Sequence, residues 1–101
     1  MKELEKQFTG KGEVKPFEFL QNRVHTTAYL YEVFENGVIS HYEVFKRKIT
    51  PVCIDFENRI YSETEFKEVY PKSKDFGVWA WTCRTYEKAW YVFESLRNES
   101  L

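Results

Sequence analysis

Cysteine is close to absent from this chain of 101 residues, which has only Cys53 and Cys83. Two thiols cannot make a disulfide-dense scaffold, so the fold has to rest on a packed core. No apolar run approaches the ~18 residues of a membrane span, which argues against a membrane partner. Charge of one sign is also lacking, with 15 Lys and Arg against 16 Asp and Glu. That balance removes the long-range positive field that draws proteins to nucleic acid or anionic lipid, and equally the acidic field of a nucleic-acid mimic. Met1 to Phe8 alternates charges where a secretory leader would have a basic head and an apolar core. A reducing, cytoplasmic setting is therefore the default expectation. Glycine and proline, four and three in number, fall where elements should end.

What the chain does have is aromatic residues, 19% of the total, and 27 Leu, Ile, Val and Phe. That apolar content lies above the roughly 20% below which chains tend to stay disordered. The length suits one core, so residues 1–101 are expected to form a single globular domain. Met1 to Phe8 could make two turns of helix, too short to persist without packing, and residues 1–12 are expected to fray or dock loosely.

Asn36-Gly37 is the clearest local signal, because a type I′ turn needs positive φ at both central residues. It joins strands over Ala28 to Glu35 and Val38 to Arg47 in a register that sets Phe34 opposite Ile39, Glu32 opposite His41 and Tyr31 opposite Tyr42. Tyr29, Tyr31, Val33, Tyr42 and Val44 then form the core face. A strand is expected over Glu13 to Gln21, with Pro16 at its start or the strand at an edge, since proline donates nothing to a ladder. A further strand runs from Thr50 to Glu57. Ser62-Glu63-Thr64-Glu65 matches a capping box, which predicts a short helix over 63–70 ending before Pro71. Gly77 to Cys83 reads as a central strand with Trp79 and Trp81 on one face. A last helix over 85–97, capped by Thr82 or Thr85, carries the stripe Tyr86, Ala89, Trp90, Phe93 and Leu96. The fold class is therefore α+β: a mainly antiparallel sheet of four to five strands with both helices packed on one face.

Chemistry finds little support in the spacing. Zinc sites bring ligands in close pairs, whereas Cys53, Cys83, His25 and His41 stand singly, so no metal and no cofactor is expected. Cys83 lies beside Arg84 at a helix start, where a thiolate is stabilised, and is the one residue on which a thiol-dependent enzyme could be built. Its plainer reading is a small, semi-buried side chain. His41 opposite Glu32 reads as a cross-strand pair, and His25 as a solvated loop residue. Without a phosphate loop, a nucleophile elbow or a marked carboxylate pair, no catalytic residue is assigned and the chain is expected not to be an enzyme.

Two binding readings remain. Single-stranded nucleic acid is held on aromatic platforms set among cations, and Lys46, Arg47 and Lys48 with Trp79 and Trp81 would supply one. Against it, aromatic residues at strand spacing usually serve the core. The favoured reading is a protein-interaction or regulatory module, with Phe34, Ile39 and Tyr91 as outward apolar candidates and an unidentified protein, or a second copy of the chain, as partner.

Ile60-Tyr61, the Glu-Phe-Lys-Glu run over 65 to 68, Tyr70-Pro71, the run Phe76 to Trp81 and the A-x₃-F-x₂-L pattern at Ala89, Phe93 and Leu96, with the hairpin His41 to Lys46, resemble small uncharacterised proteins of bacterial phages and other mobile elements. The resemblance implies a non-essential accessory protein. It assigns no catalytic role to any residue.

Overall fold

Asn36 and Gly37 have φ of 54° and 79°, the left-handed pair that a type I′ turn requires. In the computed structural model, which describes residues 3–10 and 17–98, this turn closes the central hairpin of a five-stranded antiparallel sheet. The strands are β1 (Gln7–Thr9), β2 (Phe17–Val24), β3 (Ala28–Glu35), β4 (Val38–Lys46) and β7 (Ala80–Cys83), in the order β1-β2-β3-β4-β7. A second sheet has two strands, β5 (Ile49–Asp55) and β6 (Ile60–Glu68). One helix, α1 (Tyr86–Asn98), follows β7, with the Lys88 amide donating to Thr85 Oγ1 at 3.2 Å as its cap.

The expected register holds only next to the turn. Phe34 faces Ile39, but Val33 faces His41, so Ser40 is an extra residue in a β-bulge. Beyond the bulge every facing pair moves by one: Tyr31 meets Glu43, Leu30 meets Val44 and Tyr29 meets Phe45. Because side chains alternate, that slip sends Tyr42 and Val44 to the face opposite Tyr29 and Tyr31. His41 does not pair with Glu32.

Both faces of the sheet are consequently buried, where one covered face was expected. On the first, α1 lays Ala89, Phe93 and Leu96 over Ala28, Leu30, Val44 and Cys83. On the second, Phe19, Tyr29, Tyr31, Val33, Phe45, Trp79 and Ala80 form an aromatic core, covered by Leu4, Phe8, Phe17, Val69, Tyr70 and Phe76. Phe8 stacks on Phe19 at 4.8 Å, which recruits Gln7–Thr9 into a strand where a helix or a frayed segment was anticipated. The rest of that expectation, at residues 1, 2, 11 and 12, lies outside the described residues, as do residues 13–16 of the expected second strand.

The sequence also predicts a short helix at 63–70, which the structure replaces with β6. Ser62 Oγ does accept the Glu65 amide, at 2.8 Å, as a helix cap would. The chain then continues extended. Pro51 faces Phe66 while Cys53 faces Tyr61, so residues 62–65 form a wide bulge in the ladder. An eight-residue helix gains little by itself, and the strand gives Phe66 and Glu68 partners. Finally, β7 lies at an edge of the sheet and not at its centre. A turn at Gly77, with φ of 91°, delays the strand until Ala80. Trp79 therefore falls out of alternation and joins the aromatic core, whereas Trp81 packs on the helix side.

Candidate functional site

The residues named for nucleic acid are not gathered into a platform. Trp79 and Trp81 belong to opposite cores. The Arg47 guanidinium donates to Glu68 through Nε and Nη2, both at 2.7 Å, and to the His25 carbonyl at 3.1 Å. Lys48 sits 5.1 Å over the Trp79 ring, and the Lys46 amide donates to the Trp79 carbonyl at 3.0 Å. The interaction candidates are also divided. Phe34 and Ile39 face each other beside the hairpin turn, Phe34 half-buried and Ile39 exposed. Tyr91 projects from α1 under the Lys88 ammonium.

Polar side chains that could do chemistry are engaged with one another. Glu43 accepts from the Tyr70 hydroxyl at 2.6 Å and lies 2.9 Å from His41 Nε2, while Ser40 Oγ is 3.0 Å from His41 Nδ1. The string has the composition of a hydrolytic relay, but a relay also needs a cleft that brings substrate to its nucleophile. Ser40 is exposed on the bulge and is not in the wall of the cavity beside Tyr70. That cavity, about 740 Å³, is bounded by Phe8, Phe19, Tyr70 and Phe76, with Glu43 and Glu68 in its wall. Both carboxylates already accept hydrogen bonds from within the protein, Glu68 from Arg47 and from the Tyr29 hydroxyl at 2.5 Å. Among the described residues, no group of three or more His, Cys, Asp and Glu is placed to hold a metal ion.

Cys83 is buried against α1, and that burial pushes its thiol up, with Lys88 only partly offsetting it. At neutral pH the thiol stays protonated and covered. Iodoacetamide should accordingly modify the half-buried Cys53 well before Cys83, with Cys83 reacting at the same rate as Cys53 only in denaturant. Peptide mass mapping over time checks this, and a fast Cys83 in the native protein would contradict it.

The most conspicuous exposed apolar surface is one that the reading of 63–70 as helix concealed. The β5–β6 hairpin is an arm whose far end presents Ile54, Phe56, Ile60 and Tyr61 to solvent, with Phe56 84% exposed. This is not a frayed loop. The Asp55 carboxylate accepts from the Glu57 amide at 3.1 Å, the Asn58 amide at 3.3 Å and Asn58 Nδ2 at 2.8 Å, and Arg59 takes φ of 54° to turn the chain back. Those bonds with Asn58 hold the Asp55 carboxyl below its ordinary value, so it stays ionised and keeps the turn closed at neutral pH. The sequence signal was available: Phe56 and Tyr61 flank Asn58-Arg59 as apolar residues flank a hairpin turn.

Set against known proteins, the chain matches no protein family, no curated protein and no solved structure. Among the described residues, no helix is long and apolar enough to cross a membrane.

Proposed function

We propose that this chain is a non-catalytic protein-interaction or regulatory module that works in the cytoplasm and binds its partner with the β5–β6 arm. The accessory role that its resemblance to phage and mobile-element proteins implies agrees with such a module. One observation carries the reading: a side chain as large as Phe56 is held in water by a turn that Asp55 fastens from three sides. Isolated exposed apolar residues are ordinary, but four gathered at one end of one hairpin are a common mark of a contact surface. Phe34 and Ile39 make a smaller second patch at the other hairpin turn.

A photoreactive amino acid placed at position 56 should cross-link the chain to a protein in the producing cell, whereas the same group at the exposed Lys74 should not. Phe56→Asp should abolish the interaction and move the folding free energy by less than about 0.5 kcal/mol, because the residue touches no core. Equal cross-linking from both positions, or none from 56, overturns the assignment.

A further inference from the structure

The arm that carries Phe56 is also where the chain concentrates its acid. From Ile49 to Glu68 it has five carboxylates against Arg59 and Lys67, a net −3, which exceeds the −1 of the whole chain. Two of the five are already used inside the protein. Asp55 accepts the bonds that close the turn, and Glu68 is held by Arg47. Glu57, Glu63 and Glu65 differ from them. All three are exposed, and among the described residues no ion pair engages any of them.

Their backbone is fixed in place. The Glu57 amide is bound to Asp55 in the turn, directly after Phe56. Glu63 and Glu65 lie in the bulge of β6, where Ser62 Oγ accepts from the Thr64 amide at 3.2 Å and from the Glu65 amide at 2.8 Å. The ladder sets that bulge between Tyr61, which faces Cys53, and Phe66, which faces Pro51. Along the arm, acid therefore stands on both sides of the exposed Ile60 and Tyr61, at the tip and toward the root.

From this pattern we infer that the arm's partner is a protein with a cationic rim around an apolar hollow. Phe56 seats in the hollow, and Glu57, Glu63 and Glu65 meet Lys or Arg side chains at its edge. This rests on the arm being the binding element and names what it binds. A hairpin tip is convex, so the surface that fits it is concave. An arm whose turn and bulge are already fastened has little left to order on binding, which favours a buried aromatic anchor. Three unpaired carboxylates steer encounters toward positive potential and oppose negative potential. Nucleic acid would bring phosphates, an anionic bilayer its headgroups and the arm of a second copy the same three carboxylates, and each of these is repelled.

The purified full chain with the photoreactive residue at position 56, irradiated in extract of the producing cell, tests the inference. The cross-linked peptide of the partner, located by mass spectrometry, should come from an apolar hollow flanked by Lys or Arg. Raising NaCl from about 50 to about 500 mM should lower the cross-link yield about tenfold, because exposed charge pairs are screened. Glu63→Lys with Glu65→Lys should lower it about thirtyfold at the lower salt, and Glu63→Gln with Glu65→Gln about fivefold. Should the Lys variant fail to fold, the exposed Glu57→Lys replaces it, with a loss expected again. A yield indifferent to salt and to these variants overturns the inference and leaves the arm as the binding element. So does a cross-link to a site without Lys or Arg, to nucleic acid or to a second copy of this chain. No cross-link from position 56 at all overturns the arm reading itself, and the inference with it.

Discussion

Replacing Glu68 by Ala is expected to lower the unfolding free energy by about 3–5 kcal/mol, the cost of leaving a buried charge without its partner. Glu68 is the ionic group that ties the arm to the sheet. Its side chain is 1% exposed and receives two hydrogen bonds from Arg47 and one from Tyr29, and Arg47 keeps only 15% of its own exposure. With Glu68 gone, the Arg47 guanidinium faces the Tyr29 ring with the exposed Glu3, at 3.7 Å, as its remaining carboxylate. For a domain of this size, 3 kcal/mol corresponds to a fall in Tm of about 12–24 °C. Thermal unfolding followed by circular dichroism at pH 7 measures it. Arg47→Met combined with Glu68→Met should recover most of the loss, because an apolar pair of similar volume has no charge to desolvate.

The same carboxylate gives the protein an acid limb. Burial alone would raise the Glu68 carboxyl, but the hydrogen bonds from Arg47 and Tyr29 and the adjacent positive charge outweigh it and hold the group below its ordinary value. The folded state thus binds the proton less readily than the unfolded chain. Stability from this group is fully present above the unfolded carboxylate value, ~4.3, and is lost as pH falls through the lower folded value. The single Glu68→Ala variant should show a shallower decline over that window than the wild type.

Much of the fold could be read from local chemistry. Asn36-Gly37 determined a hairpin because two consecutive positive φ values have few other solutions, and Ala89, Phe93 and Leu96 marked the buried side of α1 by their spacing alone. What escaped was decided by contacts distant in sequence. On β4 the set Tyr42, Val44 and the set His41, Glu43, Phe45 are each part apolar and part polar, so alternation could not choose between them. The bulge at Ser40 chose, placing Phe45 under Tyr29 and Glu43 within reach of Tyr70. Ser62 likewise carried a true cap signal, fulfilled at the Glu65 amide, yet Glu68 had to reach Arg47 and could do so from a strand beside β5. With 63–70 read as helix, β5 had no partner and the arm with Phe56 at its end was invisible. Ile39 and Tyr91 were legible as outward residues, since a face assigned within one element needs no knowledge of the others, whereas Phe34 is half-buried.

Phe45 and Phe56 separate what the two kinds of aromatic residue do here. Phe56→Asp should barely alter stability, whereas Phe45→Ala is expected to cost about 3–5 kcal/mol, the range for a core phenylalanine. The reason lies in how little its surroundings can move. Phe45 is fully buried, its ring 4.7 Å from Tyr70, 5.6 Å from Tyr29, 5.7 Å from Tyr31 and 6.2 Å from Trp79. Each tyrosine is pinned at its far end: Tyr29 to Glu68, Tyr70 to Glu43 and Tyr31 to the Glu5 carbonyl at 2.7 Å. To collapse into the cavity, a ring would have to give up its hydroxyl's hydrogen bond, which adds about 1–3 kcal/mol for a group left buried and unpaired and so opposes closure of the void. Phe45→Leu, which leaves a smaller hole, should lose about half as much. Urea unfolding measures both, and a Phe45→Ala loss under 1 kcal/mol would mean that the rings close the gap freely. Because Phe45 and Glu68 share Tyr29, their effects are coupled, so Phe45→Ala with Glu68→Ala should cost less than the two separate losses combined.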